Sequence, residues 1–140
     1  MIVFDTNLVS EAVRYDCDGR VRQWLATCAA DEMCTTAITV AELKAGVAIL
    51  PEGIRKQRLS EGLDGYVLAA FGNNILAFDT GCTGAFAAIT AAMRMKGRSI
   101  GFADCQIAAI AMTHGLAVAT RDTQPFADAG VKVVNPWAEE

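Results

Sequence analysis

Met1-Ile2-Val3-Phe4-Asp5-Thr6-Asn7 opens the chain with four apolar residues that stop at a carboxylate. A run without alternation suits a strand buried on both faces, as in the interior of a parallel sheet, rather than a strand with one wet side. Asp5 then stands at that strand's carboxyl end. In open α/β sheets this edge collects the loops leaving the strands and the N-termini of the following helices, so it is where ligands bind. The remaining chain can be read by asking what else reaches the same edge.

Apolar strands and amphipathic helices alternate downstream. Residues 7–13 suit a short helix, and Asp16-Cys17-Asp18-Gly19 is a turn carrying N-cap residues. Val21, Trp24, Leu25 and Cys28 then fall at i, i+3, i+4 and i+7, one stripe of a helical period, with Arg20, Arg22 and Gln23 on the other side. The β-branched, threonine-rich residues 33–38 predict a second strand, and 39–50 a helix stopped by Pro51. Residues 54–71 predict a longer helix with Leu59, Leu63, Val67, Ala70 and Phe71 on one face, interrupted by the poor helix formers Gly62 and Gly65. These two helices would form a hairpin. A third strand at 75–78 leads to a helix carrying Cys82, Phe86, Ile89 and Met93 inward and ending at Gly97. Residues 103–114 form the most apolar helix, closed by Gly115, with further strands at 116–120 and 131–134. Such alternation means parallel pairing through right-handed crossovers. The expected fold is therefore α/β, a three-layer α/β/α sandwich with a five-stranded parallel sheet, in one domain spanning 1–140.

Composition narrows the function classes. At 53% hydrophobic and 20% charged, the chain can bury a core, which argues against disorder. No apolar run approaches the roughly 20 residues of a membrane span, and no basic segment precedes an apolar one at the N-terminus. The expectation is an unexported, cytoplasmic protein with no membrane association. Cys17, Cys28, Cys34, Cys82 and Cys105 are scattered without a CxxC pair, and His114 is the single histidine, so reduced thiols are expected rather than a zinc site. A net charge of −4 argues against a broad basic face for nucleic acid and leaves room for a local patch.

Four carboxylates fall at strand ends or helix starts on one edge of such a sheet: Asp5, Glu42, Asp104 and Asp122. Each has an ordinary explanation. Thr39-Val40-Ala41-Glu42 fits a capping box, Asp104 could favour a helix dipole, and Asp122 could serve a turn or an N-cap. Taken together they would repel one another unless a divalent cation joined them. Mg²⁺ or Mn²⁺ suits the set, since hard ions take carboxylate oxygens and keep water or phosphate oxygens as their remaining ligands.

The order and spacing of Asp5-Thr6-Asn7 with Ser10-Glu11, Ile38-Thr39-Val40-Ala41-Glu42-Leu43 with Gly46, Ala103-Asp104 with Ile107-Ala108-Ala109, and Thr120-Arg121-Asp122 resemble the PIN-domain family. Within that family the chain is most similar to the VapC and FitB-like toxins of bacterial type II toxin–antitoxin systems, from Met1 to Asn135-Pro136-Trp137. The resemblance implies a homodimeric, Mg²⁺- or Mn²⁺-dependent endoribonuclease of the bacterial cytoplasm, with Asp5, Glu42, Asp104 and Asp122 catalytic. Asp5, Asp104 and Asp122 would hold the metal, and Thr6 and Asn7 would orient Asp5. It also implies a cognate DNA-binding antitoxin that covers the acidic site. The predicted helix over 54–71 has more apolar face than a single crossover needs, so an exposed Leu59-Leu63-Val67 stripe on the hairpin is the expected antitoxin-docking surface. Many relatives carry Thr-Arg-Asn with an aspartate three residues on, whereas here Asp122 follows Arg121 directly and Pro125 holds the later position. Arg14, Lys44 and Arg121 are candidates to hold RNA phosphates, and His114 suits a helix C-terminus. One alternative is a PIN-fold binding module that regulates transcription through its antitoxin with little catalysis. A phosphotransfer protein is the other, disfavoured because Asn7 stands where a dehalogenase-type phosphatase has its second aspartate and Asp79 lacks a receiver's paired acids.

Overall fold

The computed structural model describes residues 1–138. Strands β1 (Ile2–Phe4), β2 (Met33–Thr36), β3 (Ile75–Leu76), β4 (Ala117–Ala119) and β5 (Val133–Val134) form a parallel sheet in the order β3-β2-β1-β4-β5. Between them run α1 (Thr6–Ala12), α2 (Gly19–Ala26), α3 (Ala37–Ala48), α4 (Ile54–Phe71), α5 (Thr83–Met95), α6 (Phe102–His114) and α7 (Thr123–Asp128). This is the three-layer, five-stranded parallel architecture that the alternation predicts. From β1 the chain winds to one side for β2 and β3, then to the other for β4 and β5. Strand order therefore reverses between β1 and β4, and a crevice opens at their carboxyl ends.

Successive residues of β1 face opposite layers, which is why the strand is apolar throughout. Val3 and Val118 meet Ile89 and Met93 of α5, Ile107, Ala108 and Ala111 of α6, and Phe126 of α7. Phe4 and Ala119 meet Leu8 and Val9 of α1, Val21 of α2, Leu63, Val67 and Phe71 of α4, and Trp137 of the C-terminal segment. Phe4 anchors that second layer, its ring centroid 5.6 Å from that of Trp24 and 5.4 Å from that of Phe71. Gly115, left-handed at φ 66°, ends α6 and lets the Leu116 N–H reach the Ala111 carbonyl at 2.9 Å, which turns the chain into β4.

Three local expectations are corrected. The second strand stops at Thr36 rather than Ile38, because the Thr36 hydroxyl accepts the Thr39 N–H at 3.1 Å and starts α3 at Ala37. Glu42 therefore lies in the second turn of α3 and takes no part in a capping box. Residues 123–128 form a helix that the sequence reading did not include, with Pro125 in its first turn, where a missing N–H costs nothing. Finally, Leu63 and Val67 are not a free docking stripe: they are buried over Phe4, and of that stripe only Leu59 is exposed. Gly62 and Gly65 do not break α4, which runs unbroken from Ile54 to Phe71. Among the described residues no helix is long and apolar enough to cross a membrane, and all five cysteines are free thiols.

The layer assignment of α4 can be measured directly. Leu63→Ala is expected to cost about 2–5 kcal/mol by opening a cavity, and Leu68→Ala, on the exposed side of the same helix, about 0.5 kcal/mol or less. Urea unfolding midpoints read both; equal losses would contradict the packing.

Candidate active site

Asp5 follows β1 with its backbone still extended (φ −75°, ψ 166°), so its side chain leaves on the Val3 side, toward α6. It is 4% exposed. Oδ2 accepts the Thr120 hydroxyl at 2.9 Å, while Oδ1 has no hydrogen-bond partner, the one such buried side-chain atom among the described residues. Asp5 also stands at the N-cap position of α1 without its side chain capping that helix, since its carbonyl takes the Leu8 and Val9 N–H groups instead. The carboxylate is thus held by one oxygen and free at the other.

Thr120, fully buried just past β4, is the hub that sequence inspection did not single out. Its hydroxyl donates to Asp5 and receives the Asn7 amide at 3.2 Å and the Asp122 backbone N–H at 3.1 Å. Asn7 Oδ1 in turn accepts the Arg121 backbone N–H at 3.3 Å. The expected orienting role of Asn7 therefore runs through Thr120. A clue was present: Thr120 continues the inward side of Val118, so a hydroxyl there must find partners. A second hydroxyl set lies across β1. Thr6 donates to Glu42 Oε1 at 2.7 Å with Thr39 Oγ1 3.2 Å away, and Thr36 and Thr39 are themselves fully buried. Thr6 thus steers Glu42, not Asp5, through its side chain.

The other two acids come from helix starts. Asp104 sits half-buried in the first turn of α6, as expected. Asp122 occupies the N-cap position of α7, yet its carboxylate caps nothing and is exposed. Burial is the main force that pushes Asp5 up to about 6; the Thr6 amide and Thr120 hydroxyl pull it down, and the charges of Asp104 and Glu42 push it further up. Asp104 is likewise raised, first by burial and then by Glu42 and Asp122. These repulsions link all four acids into one electrostatic cluster at the switch point of the sheet.

Among the described residues no three acids already stand as a closed metal cage. Mg²⁺ is usually held by one or two carboxylates, with water and phosphate oxygens completing its shell, so the fit rests on the individual carboxylates. The free, buried Oδ1 of Asp5 fits such a ligand: an orphaned carboxylate oxygen is costly, and cation binding offsets that cost.

The cations suggested by the sequence are not all brought to the acids. Arg14 lies beyond the far end of α1, where its guanidinium pairs with both oxygens of Asp16 at 3.1 and 3.2 Å. Lys44, two residues after Glu42 and so roughly 200° round α3, reaches Asp64 of α4 at 3.7 Å. Arg121 alone of the three stands beside the acid cluster. His114 is exposed at the opposite end of α6 from Asp104, and Asp79 only caps a short turn by accepting the Gly81 N–H.

The buried charge has a measurable pH dependence. With its carboxyl pushed from 3.8 to about 6, Asp5 favours the folded state in its protonated form. That contribution is fully present below pH 3.8 and lost as pH rises through about 6, leaving a cost of about 3 kcal/mol at neutral pH. In EDTA at about pH 7.5, Asp5→Asn should therefore melt several degrees above the wild type, and the gap should close toward about pH 4. A gap of constant size across that range would remove the electrostatic account.

A PIN domain model matches residues 2–132. The chain is 42% identical over 137 residues to VapC ribonuclease Y4jK of Sinorhizobium fredii, covering 98% of each, and 43% identical over 137 residues to Toxin FitB of Neisseria gonorrhoeae, covering 98% of this chain and 99% of that protein. It also superposes on the structure of FitAB bound to an IR36 DNA fragment with a TM-score of 0.93 at 41% identity, over 100% of this chain and 98% of that one. With the switch-point geometry, matches of this length mean that the chain belongs to the PIN-domain family.

Proposed function

We propose that this chain is a Mg²⁺- or Mn²⁺-dependent endoribonuclease, the toxin half of a type II toxin–antitoxin pair acting in the bacterial cytoplasm. The observation that carries the chemistry is the unpartnered Oδ1 of buried Asp5, facing three further acids at the switch point. Relatives named a VapC ribonuclease and a FitB toxin support the substrate and the biological class.

A bound Mg²⁺ or Mn²⁺ would supply Lewis acidity and a water acidic enough to serve as nucleophile near neutral pH. Asp5, Asp104 and Asp122 would hold it. Thr120 ties the Asp5 carboxylate to the Asp122 backbone, which fixes where the two acids leave the chain, while their side chains would close on an ion. Glu42, exposed and steered by the Thr6 hydroxyl, is the acid suited to orienting the attacking water and accepting its proton. No histidine or lysine base is needed at this site.

The partners proposed are a cognate DNA-binding antitoxin and a second copy of this chain, in keeping with the similar FitAB structure, which is bound to a DNA fragment. A pI of about 4.9 agrees with DNA binding falling to the antitoxin. An arginine of that antitoxin among the carboxylates would silence the site.

Purified protein should cleave structured RNA in Mn²⁺ or Mg²⁺ and poorly in Ca²⁺, whose larger coordination shell fits badly. Asp5→Asn and Asp104→Asn should each lower the rate by at least about 100-fold while staying folded. Wild-type rates in either variant after repurification would sink the assignment. Absence of metal-dependent cleavage by the wild type would favour the alternative, a binding module that works through its antitoxin.

A further inference from the structure

One charged group beside the acids has no part in this mechanism. Arg121 lies between Thr120 and Asp122, and its backbone N–H on Asn7 ties it to the same network that holds Asp5. Its side chain is exposed, and among the described residues no carboxylate comes within ion-pair distance of it. Its guanidinium carbon instead lies 5.6 Å over the ring of Trp137. That ring is a fixed platform. Trp137 is 6% exposed, packs in the layer of Phe4 and Val21, and donates its backbone N–H to Asn135 Oδ1 at 3.0 Å.

The mode of attachment matters. A guanidinium paired with a carboxylate has two of its N–H donors committed, as Arg14 does with Asp16. A guanidinium held against an aromatic ring is positioned through its face, and the donors along its edge stay free. A rim of four acids also repels a polyanion, so the phosphate nearest the cluster needs a cation at that rim.

We propose that Arg121, docked on Trp137, receives a backbone phosphate of the RNA beside the acid cluster, and that Trp137 is the residue that positions it. This rests on the ribonuclease function and adds to it the group that sets substrate register. Because phosphates carry no base identity, the contact aligns the strand without choosing the sequence.

Steady-state cleavage of a fluorophore–quencher RNA hairpin by the full chain in Mn²⁺ tests it. Arg121→Gln should raise KM about tenfold, with a smaller effect on kcat. It should also flatten the dependence of log kcat/KM on log salt by about 0.7, the share of one phosphate contact. Arg121→Lys, which keeps the charge without the planar fork, should recover part of the loss. Trp137→Phe should stay near wild type, and Trp137→Leu should show part of the Arg121→Gln defect. Added to Arg121→Gln, Trp137→Leu should raise KM no further, because it acts only through the arginine. The exposed Arg121→Gln variant keeps its fold, so the test survives even if Trp137→Leu is unstable. If wild type cleaves the hairpin and Arg121→Gln keeps both KM and salt slope, the proposal is overturned. Fully multiplicative effects of the two substitutions would overturn the role of Trp137. A wild type that cleaves no RNA would overturn the ribonuclease function, and this proposal with it.

Discussion

The constraint on which this molecule depends is the burial of one carboxylate at the end of its central strand. A carboxylate in an apolar sandwich must be neutralised, paired or fully hydrogen-bonded. Asp5 meets none of these conditions completely: Thr120 satisfies one oxygen, nothing satisfies the other, and the nearest charges are acids. Burial and repulsion both act against the ionised form and push the carboxyl up to about 6. A cation beside the unsatisfied oxygen would favour the ionised form that burial and repulsion oppose.

Holding the cluster in place falls to hydroxyls rather than to charged partners. On one side of β1, Thr120 joins Asp5, Asn7 and the Asp122 backbone; on the other, Thr6 reaches Glu42 beside Thr39. A hydroxyl can orient a carboxylate without cancelling its charge, whereas an arginine in the same position would compete with the cation. The neutral scaffold also explains why α6 is so apolar. Its first turn must bring Asp104 to the rim while the rest of the helix packs over Val3 and Val118, and Cys105, Ile107, Ala108, Ala109, Ile110 and Ala111 are all buried. Small alanines let the helix lie close enough to the sheet for the acid to reach the crevice.

Much of this was legible in the sequence, for identifiable reasons. Apolar residues at β1 that alternate between two layers look continuous only if both faces are covered, so Val3 and Phe4 already implied the sandwich. The four acids were legible because strand ends and helix starts in a parallel sheet share one edge. What escaped was anything decided by competition between neighbours. Thr36 and Thr39 are both acceptable N-caps, and local spacing does not say which hydroxyl wins; the answer moved Glu42 by a turn. Leu63 and Val67 show apolar character but not which surface they cover, and Phe4 claimed them for the core. Thr120 was invisible as a hub because its partners Asp5 and Asn7 lie more than a hundred residues away in sequence.

The same asymmetry accounts for how an acidic protein can act on RNA. Away from the site several cations are paired with acids: Arg14 with Asp16, Arg20 with Asp18, Lys44 with Asp64, Lys56 with Glu52 and Arg98 with Asp128. Such exposed pairs add little stability, and with a net charge of −4 the chain has no long-range positive field to draw in nucleic acid indiscriminately. At the rim the relation reverses, since Arg121 rests on an indole and the neighbouring acids lack a permanent cationic partner. On the proposed function, a divalent ion held by the acids would offset the repulsion that they exert on a phosphate, and Arg121 would add attraction at the same rim. A partner bringing its own arginine to this rim would, on the same function, meet the same electrostatics from the opposite direction, and one cluster of carboxylates would then serve both turnover and inhibition.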